Sequence, residues 1–261
     1  MAGRAGACAS LAALYASMKL RTAVAASLAL ALAAMGALAA RAAQVAPPAA
    51  APAVVDPPPT YTLAGRLVLT EKGAPATDAS IDLRDGAVWF EPDAGATPPR
   101  AQSAQMATEK KQFKPQFLVV PVGSTVAFPN QDPILHNVFS VSGRNKFDLG
   151  LVGSGKGKSV VFKEAGLVRV FCNVHHAMFA HVLVVRTPHF ARLDQGGGFR
   201  IDGVPAGSGQ LFYWHGRGEA GSRRVRLPHA TALEIELPIT VARIPAHKNK
   251  LGKSYTRSAY E

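Results

Sequence analysis

The sequence predicts an all-β protein built around a β-sandwich, and three observations carry that prediction. Runs such as QFLVVPVG, STVAFPN, HNVFSV, SVVFKEAG, LVRVFC and HVLVVR are short, rich in Val and Phe, and divided by Gly, Pro, Asn and Asp, which is the signature of strands with closely spaced turns. After residue 60 no long stretch carries the 3.6-residue apolar period of an amphipathic helix. In LVRVFC, Val168, Val170 and Cys172 alternate with Leu167, Arg169 and Phe171, so a strand there turns Cys172 toward the core. A chain of 261 residues, 48% of them hydrophobic, has room for one large β domain or two modest ones.

The first 60 residues have a different composition. They are alanine-rich and contain no acidic residue before Asp56. From Met18, read as the true start, MKLRTAVAASLALALAAMGALAARAA has a basic beginning, an apolar stretch and an A-x-A site at Ala40 and Ala42, the pattern of a secretory signal peptide. Residues 1–42 are therefore expected to direct export to the periplasm, with an uncleaved membrane anchor as the alternative, because the apolar run approaches the length of a span. Residues 43–60 end in APPAAAPAVVDPPPT and read as a proline-stiffened linker. Removing residues 1–42 takes away Arg4, Lys19, Arg21 and Arg41 but no acid, so the net charge falls from +12 to +8.

Residues 61–110 are expected to form an N-terminal β hairpin region. YTLAGRLVLT alternates like a strand, Lys72 and Gly73 make a turn, and a second apolar run ends at Phe90. This hairpin either packs with the C-terminal part of the chain or extends the sheet of the central module.

The central module, residues 111–186, carries the chemistry. Cys8 lies in or before the signal, which leaves Cys172 as the only cysteine of the mature chain and excludes an internal disulfide. An unpaired thiol in an oxidising compartment is buried and inert, paired with another molecule, or bound to something. Its neighbours favour binding: FCNVHHAM places Cys172, His175 and Met178 at spacing C-x2-H-x2-M, which a short loop can fold around one point. Soft sulfur ligands select copper, and two His with one Cys and a weak axial Met form a blue-copper electron-transfer set. The missing imidazole is expected from a separate strand upstream, and FPNQDPILHNVFSV supplies His136. A buried Cys with incidental histidines is the bland alternative. A structural zinc site is another, although such sites are closed by Cys and His and do not recruit Met. Met178, beside Phe179, also reads as a core filler.

With those residues in view, the stretch from about Lys111 to Arg186 resembles the cupredoxins, most closely the amicyanin type. VGSTVAFPNQDPILHNV looks like that family's strand, turn and first ligand, and EAGLVRVFCNVHHAMFAHVLVV looks like its final hairpin. The resemblance implies a Greek-key β-sandwich holding one type 1 copper per chain through His136, Cys172 and His175, with Met178 axial. It also implies that Asn130 tethers the ligand loop near the cysteine. The family commonly has proline after the loop histidine. This chain has His176 there, which leaves His175 and His176 both in contention, with the spacing favouring His175.

Residues 187–243 contain FARLDQGGGFRIDGVPAGSGQLFYWHG and ATALEIELPI, strands again separated by Gly and Pro turns. The pattern G-x-F-x-I-x-x-V-P-x-G from Gly197 to Gly207 resembles the transthyretin-like, carboxypeptidase-regulatory domains and implies a second, smaller β-sandwich-like part. Its glycines and proline are turn-makers and say little about function. Residues 244–261 read as a solvated basic tail, able to steer an acidic partner or touch an anionic membrane surface.

The functional expectation is an exported electron carrier, monomeric, meeting redox protein partners through an apolar rim of Pro133, Ile134, Leu135, Ala177 and Phe179 around His175. Arg144, Lys146, Lys156 and Lys158 would steer those partners, or simply form a solvated face. Copper storage or delivery with the same ligands is the rival. An enzyme is not expected, because no further histidine cluster, no C-x-x-C-H haem motif and no nucleophile with a matched base is present. Nor is a nucleic-acid partner, for want of a basic patch interleaved with aromatics.

Overall fold

The computed structural model describes residues 58–243 and 248–254. The expected signal peptide, residues 43–57 of the linker, and tail residues 244–247 and 255–261 lie outside the described residues. Regular structure is β apart from two short 3-10 turns, and no α-helix occurs among the described residues. In chain order the strands are β1 (Thr60–Glu71), β2 (Ala74–Pro75), β3 (Gly86–Pro92), β4 (Ser103–Gln105), β5 (Ala107–Glu109), β6 (Gln112–Lys114), β7 (Phe117–Pro121), β8 (Thr125–Asn130) and β9 (His136–Ser140). They continue as β10 (Phe147–Val152), β11 (Gly155–Val161), β12 (Gly166–Cys172), β13 (Phe179–Val185), β14 (Phe190–Arg192), β15 (Gly198–Pro205), β16 (Gly207–His215), β17 (Gly221–Leu227) and β18 (Leu233–Pro238).

Two sheets make the central sandwich. One runs β10-β9-β12-β13-β7; the other runs β11-β8-β5-β6, with β4 also on β8. The chain crosses between them at β6 to β7, β7 to β8, β8 to β9, β10 to β11 and β11 to β12, and β13 closes beside β7 in parallel. This is a cupredoxin-like β-sandwich. Its core draws Val138, Val168, Val170, Ala180 and Val182 from one sheet and Phe113, Val126 and Phe128 from the other. Fully burying a large apolar side chain such as Phe128 or Phe162 stabilises the fold by about 1.5–3 kcal/mol. Gly157 permits one close approach: its φ is +66°, and a Cβ there would strike the Phe128 carbonyl.

The second sandwich is not made by residues 187–243 alone. One sheet runs β15-β1-β18, and the other runs β14-β3-β16-β17. The segment expected to be an N-terminal hairpin is therefore divided between two sheets. The Lys72–Gly73 turn pairs β1 only with the two-residue β2, while β3 pairs with β14 and β16. The physical reason is burial: Leu63, Leu67 and Leu69 of β1 and Val88 and Phe90 of β3 fill one core with Ile201, Leu211, Val225 and Ile235. The left-handed Gly197 (φ +81°) belongs to the same contact, because a Cβ there would meet the carbonyl of Leu67, whose N–H donates to Gly197 O at 2.8 Å. Strands β4 and β5, upstream of the expected boundary at 111, pair with β8 and so belong to the central sandwich.

A third apolar cluster, Ala87, Phe117, Leu183, Val185 and Trp214, joins the outer face of the central β7/β13 pair to the outer face of β3 and β16. Trp214 lies 5.1 Å from Phe117 and 4.9 Å from His181 between ring centroids. Three histidines outside the ligand set are placed as follows. His181 is buried in this seam, His215 is buried and hydrogen-bonded to Asp82 O and Arg217 N, and His229 is exposed.

Candidate metal centre

The ligand spacing becomes a site through one hairpin. β12 and β13 pair from Gly166 and Val184 up to Phe171 and Phe179. Beyond that last pair, Cys172 N–H donates to Met178 O at 3.2 Å and Met178 N–H to His175 O at 3.0 Å. Cys172 and Met178 are thereby set opposite each other, with His175 near the apex. The alternation in β12 is as read: Val168, Val170 and Cys172 are buried and Arg169 is exposed, although Phe171 is covered as well.

His136 opens β9, and β9 pairs with β12 so that Val138 faces Cys172 and Phe139 faces Phe171. In an antiparallel pair, stepping back two residues from Val138 moves past Cys172 into the ligand loop, so both histidines arrive at one end of the sandwich. Cys172 Sγ stands 3.7 Å from Nδ1 of His136 and 3.7 Å from Nδ1 of His175. The three ligand atoms lie within 4.8 Å of one another, and the two imidazole rings are 4.8 Å apart at 54°. His136 and Cys172 are wholly buried; His175 is partly exposed and His176 exposed. The geometry thus selects His175 over its neighbour. Met178 is buried at 1% exposure in the same core as Cys172.

The donor set fits a single thiophilic ion. Bond lengths of about 2.0 Å to imidazole and 2.3 Å to thiolate sum to more than the 3.7 Å separations, so the sulfur and either histidine nitrogen reach one ion, and all three share it once the two nitrogens, which lie within 4.8 Å, stand no more than about 4 Å apart. His136 presents Nδ1 toward Cys172 because its other nitrogen is occupied: Nε2 lies 2.8 Å from Asp132 Oδ2. A carboxylate on one ring nitrogen fixes the proton there and leaves the other lone pair for a metal. Asp132 also accepts the N–H groups of Lys110 (2.6 Å) and Lys111 (3.0 Å). Burial pushes its pKa up, but these two backbone bonds and His136 outweigh that and hold the carboxyl below its ordinary range. Burial, with the charges of His136 and Lys111, lowers the pKa of His175 and favours the neutral, ligating imidazole.

Asn130 differs from the expectation. Its Nδ2 donates to Ile134 O (2.8 Å) and Val152 O (3.0 Å), and its Oδ1 accepts from Thr108 Oγ1 (2.8 Å) and Asp132 N–H (2.9 Å). Those four bonds use the full capacity of the amide. Asn130 therefore ties down the segment leading to His136, not the cysteine loop. The carboxylate of Asp132 is the functional group that sequence reasoning missed; its position four residues before His136 was the available signal.

No protein family and no curated protein matches this chain. Solved structures match about a third of it. A purple cupredoxin from Nitrosopumilus maritimus is 26% identical over 31% of this chain and 99% of its own, with a TM-score of 0.29. A Cu-containing nitrite reductase (NirK) from Thermus scotoductus SA-01 is 24% identical over 36% of this chain, which spans only 25% of the reductase, with a TM-score of 0.31. A point mutant of amicyanin in its oxidized state is 25% identical over 34% of this chain and 98% of its own, with a TM-score of 0.30.

Proposed function

We propose that this chain is an exported type 1 copper protein that carries single electrons between redox protein partners in the periplasm. The observation that supports it most is the buried convergence of one cysteine sulfur and two imidazole Nδ1 atoms, each 3.7 Å from the sulfur. His136, Cys172 and His175 would hold one copper ion per chain, with Met178 as a further ligand, and the ion would supply one-electron exchange between its two oxidation states. The chain's own contribution is a rigid ligand set. Asp132 fixes His136, Asn130 fixes the segment before it, and the β12/β13 hairpin fixes Cys172 and Met178.

His175 lies at the end of the sandwich where Ile134, Leu135 and Leu151 are exposed, an apolar rim suited to weak, transient redox encounters. Of the four cations expected to steer a partner, Arg144 pairs with Glu164 and Lys158 donates to Leu149 O. Lys146 and Lys156 are the two best placed to steer an acidic partner. In this proposal the second sandwich, with its transthyretin-like Gly197–Gly207 pattern, is a scaffold, and the protein is a carrier and not an enzyme. Copper storage or delivery is the second reading. Partly exposed His175 favours it by leaving one ligand within reach of solvent.

The test is the visible absorption and electron paramagnetic resonance of the chain after adding Cu(II), alongside Cys172→Ser. An intense thiolate-to-copper band with narrow hyperfine splitting, absent from the variant, is the expected result. A colourless protein, or a copper signal that survives the substitution, refutes the proposal. Fast surrender of copper to a chelator by a blue protein would favour delivery over electron transfer.

A further inference from the structure

Residues 248–254, the described part of the expected solvated tail, are ordered against the central sandwich. Residues 248–254 form a turn of their own: Asn249 N–H donates to Lys253 O and Gly252 N–H to Asn249 O, both at 2.9 Å. The Asn249 side-chain oxygen accepts Leu251 N–H and Lys253 N–H, each at 3.0 Å, and Gly252 supplies the left-handed residue at φ +74°. A short segment that satisfies its own backbone in this way has a defined shape, and the turn presents Lys250.

Lys250 reaches the metal module by two arms. Its backbone N–H donates to Asn173 Oδ1 at 3.0 Å, and its ammonium donates to Asp148 Oδ2 at 2.8 Å. Asp148 Oδ1 accepts Asn137 Nδ2 at 2.7 Å, and Asn137 O accepts Asn173 N–H at 3.0 Å. The circuit closes: Lys250, Asp148, Asn137, Asn173 and back to Lys250. Asn173 follows Cys172 and Asn137 follows His136, so the circuit ties together the two buried ligand segments from their outer side.

We propose that Lys250 is a positioning residue for the metal centre, and that the turn at 248–254 is a clasp holding the Cys172 and His136 segments in register. The ion pair itself contributes little, because Lys250 and Asp148 are 34% and 42% exposed and such pairs are worth little in water. What the clasp supplies is geometry. Groups that orient metal ligands from outside typically change metal affinity by about 10- to 100-fold when removed. Partial exposure places this clasp at the lower end.

This inference rests on the copper reading for its metal-dependent part, so the experiment has a second, metal-free arm. The full chain is compared with Lys250→Ala, Lys250→Arg and a deletion of residues 248–261. The measurements are the rate of Cu(II) loss to a chelator, the position of the visible band, and amide hydrogen exchange across residues 171–176 of the copper-free protein. The deletion should speed copper loss about tenfold, shift the band, and raise exchange at Asn173. Lys250→Ala should do the same to a smaller extent because it keeps the backbone arm, and Lys250→Arg should restore most of the original behaviour. Unchanged copper loss and band position in the deletion, with the blue signal of the full chain intact, overturns the clasp. A full chain that gives no blue signal refutes the copper reading instead. The clasp then stands or falls on whether the deletion raises exchange at Asn173.

Discussion

Replacing Asp132 with alanine tests the electrostatic and geometric logic of the site most directly. Asp132 accepts three hydrogen bonds, from His136 Nε2 at 2.8 Å and from the N–H groups of Lys110 and Lys111. The His136 ring is wholly buried, so removing the carboxylate strands an N–H that water cannot reach, at a cost of about 1–3 kcal/mol. The two turn N–H groups sit near solvent and add less. The imidazole proton is then free to move to Nδ1, the atom that faces Cys172, and in that tautomer His136 cannot ligate. Copper affinity should fall by about 10- to 100-fold, which corresponds to about 1.4–2.7 kcal/mol. Asp132→Asn keeps an acceptor oxygen and should fall between wild type and alanine. The assay is a competition titration against a Cu(II) chelator, with circular dichroism as a check on the fold. A folded Asp132→Ala chain with unchanged copper affinity would show that the carboxylate does not orient His136.

Three further outcomes follow from the same structure. Met178→Leu conserves volume, so stability should change by less than about 1.5 kcal/mol. An axial ligand would nonetheless shift the visible band and the reduction potential, whereas unchanged spectra would assign Met178 to the core alone. Trp214→Ala should lose about 3–5 kcal/mol in chemical denaturation, because Trp214 is 6% exposed and packs on Phe117 and His181; a loss below 1 kcal/mol would mean that the seam is not a true core. Burial, with Arg169 and His215 nearby, pushes the pKa of His181 down from 6.5 to about 4. The folded protein thus refuses a proton that the unfolded chain accepts. Stability is full above pH 6.5, declines as pH falls toward 4, and has dropped by about 3 kcal/mol once there. His181→Phe should flatten that dependence in urea titrations, and an unaltered slope would assign it to other groups.

The parts of the site that lie close together in sequence were legible without a structure. Cys172, His175 and Met178 share one hairpin loop, so their spacing already implies convergence, and alternation in LVRVFC marks which face Cys172 takes. His136 was found because a three-ligand chemistry needs one more imidazole and a single histidine precedes the loop. Asp132 escaped notice because a carboxylate on a polar turn looks solvated until burial and the His136 contact are known.

Local pattern by itself determined that the chain is all-β, where most strands and turns fall, and which side chains of one loop can meet. Tertiary structure alone decided which strands pair. β1 and β3, separated in sequence only by the two-residue β2 and a turn, fall into two sheets because their buried faces complete a core with β15, β16, β17 and β18 more than 100 residues away. It also decided that Asn130 spends its amide on the His136 segment and that Lys250 returns to Asn173 and Asp148. The reason is the same in each case. A period of two residues states which face of a strand is buried, and a polar side chain states what it can bond, but neither names the partner; that is chosen by packing across the whole fold.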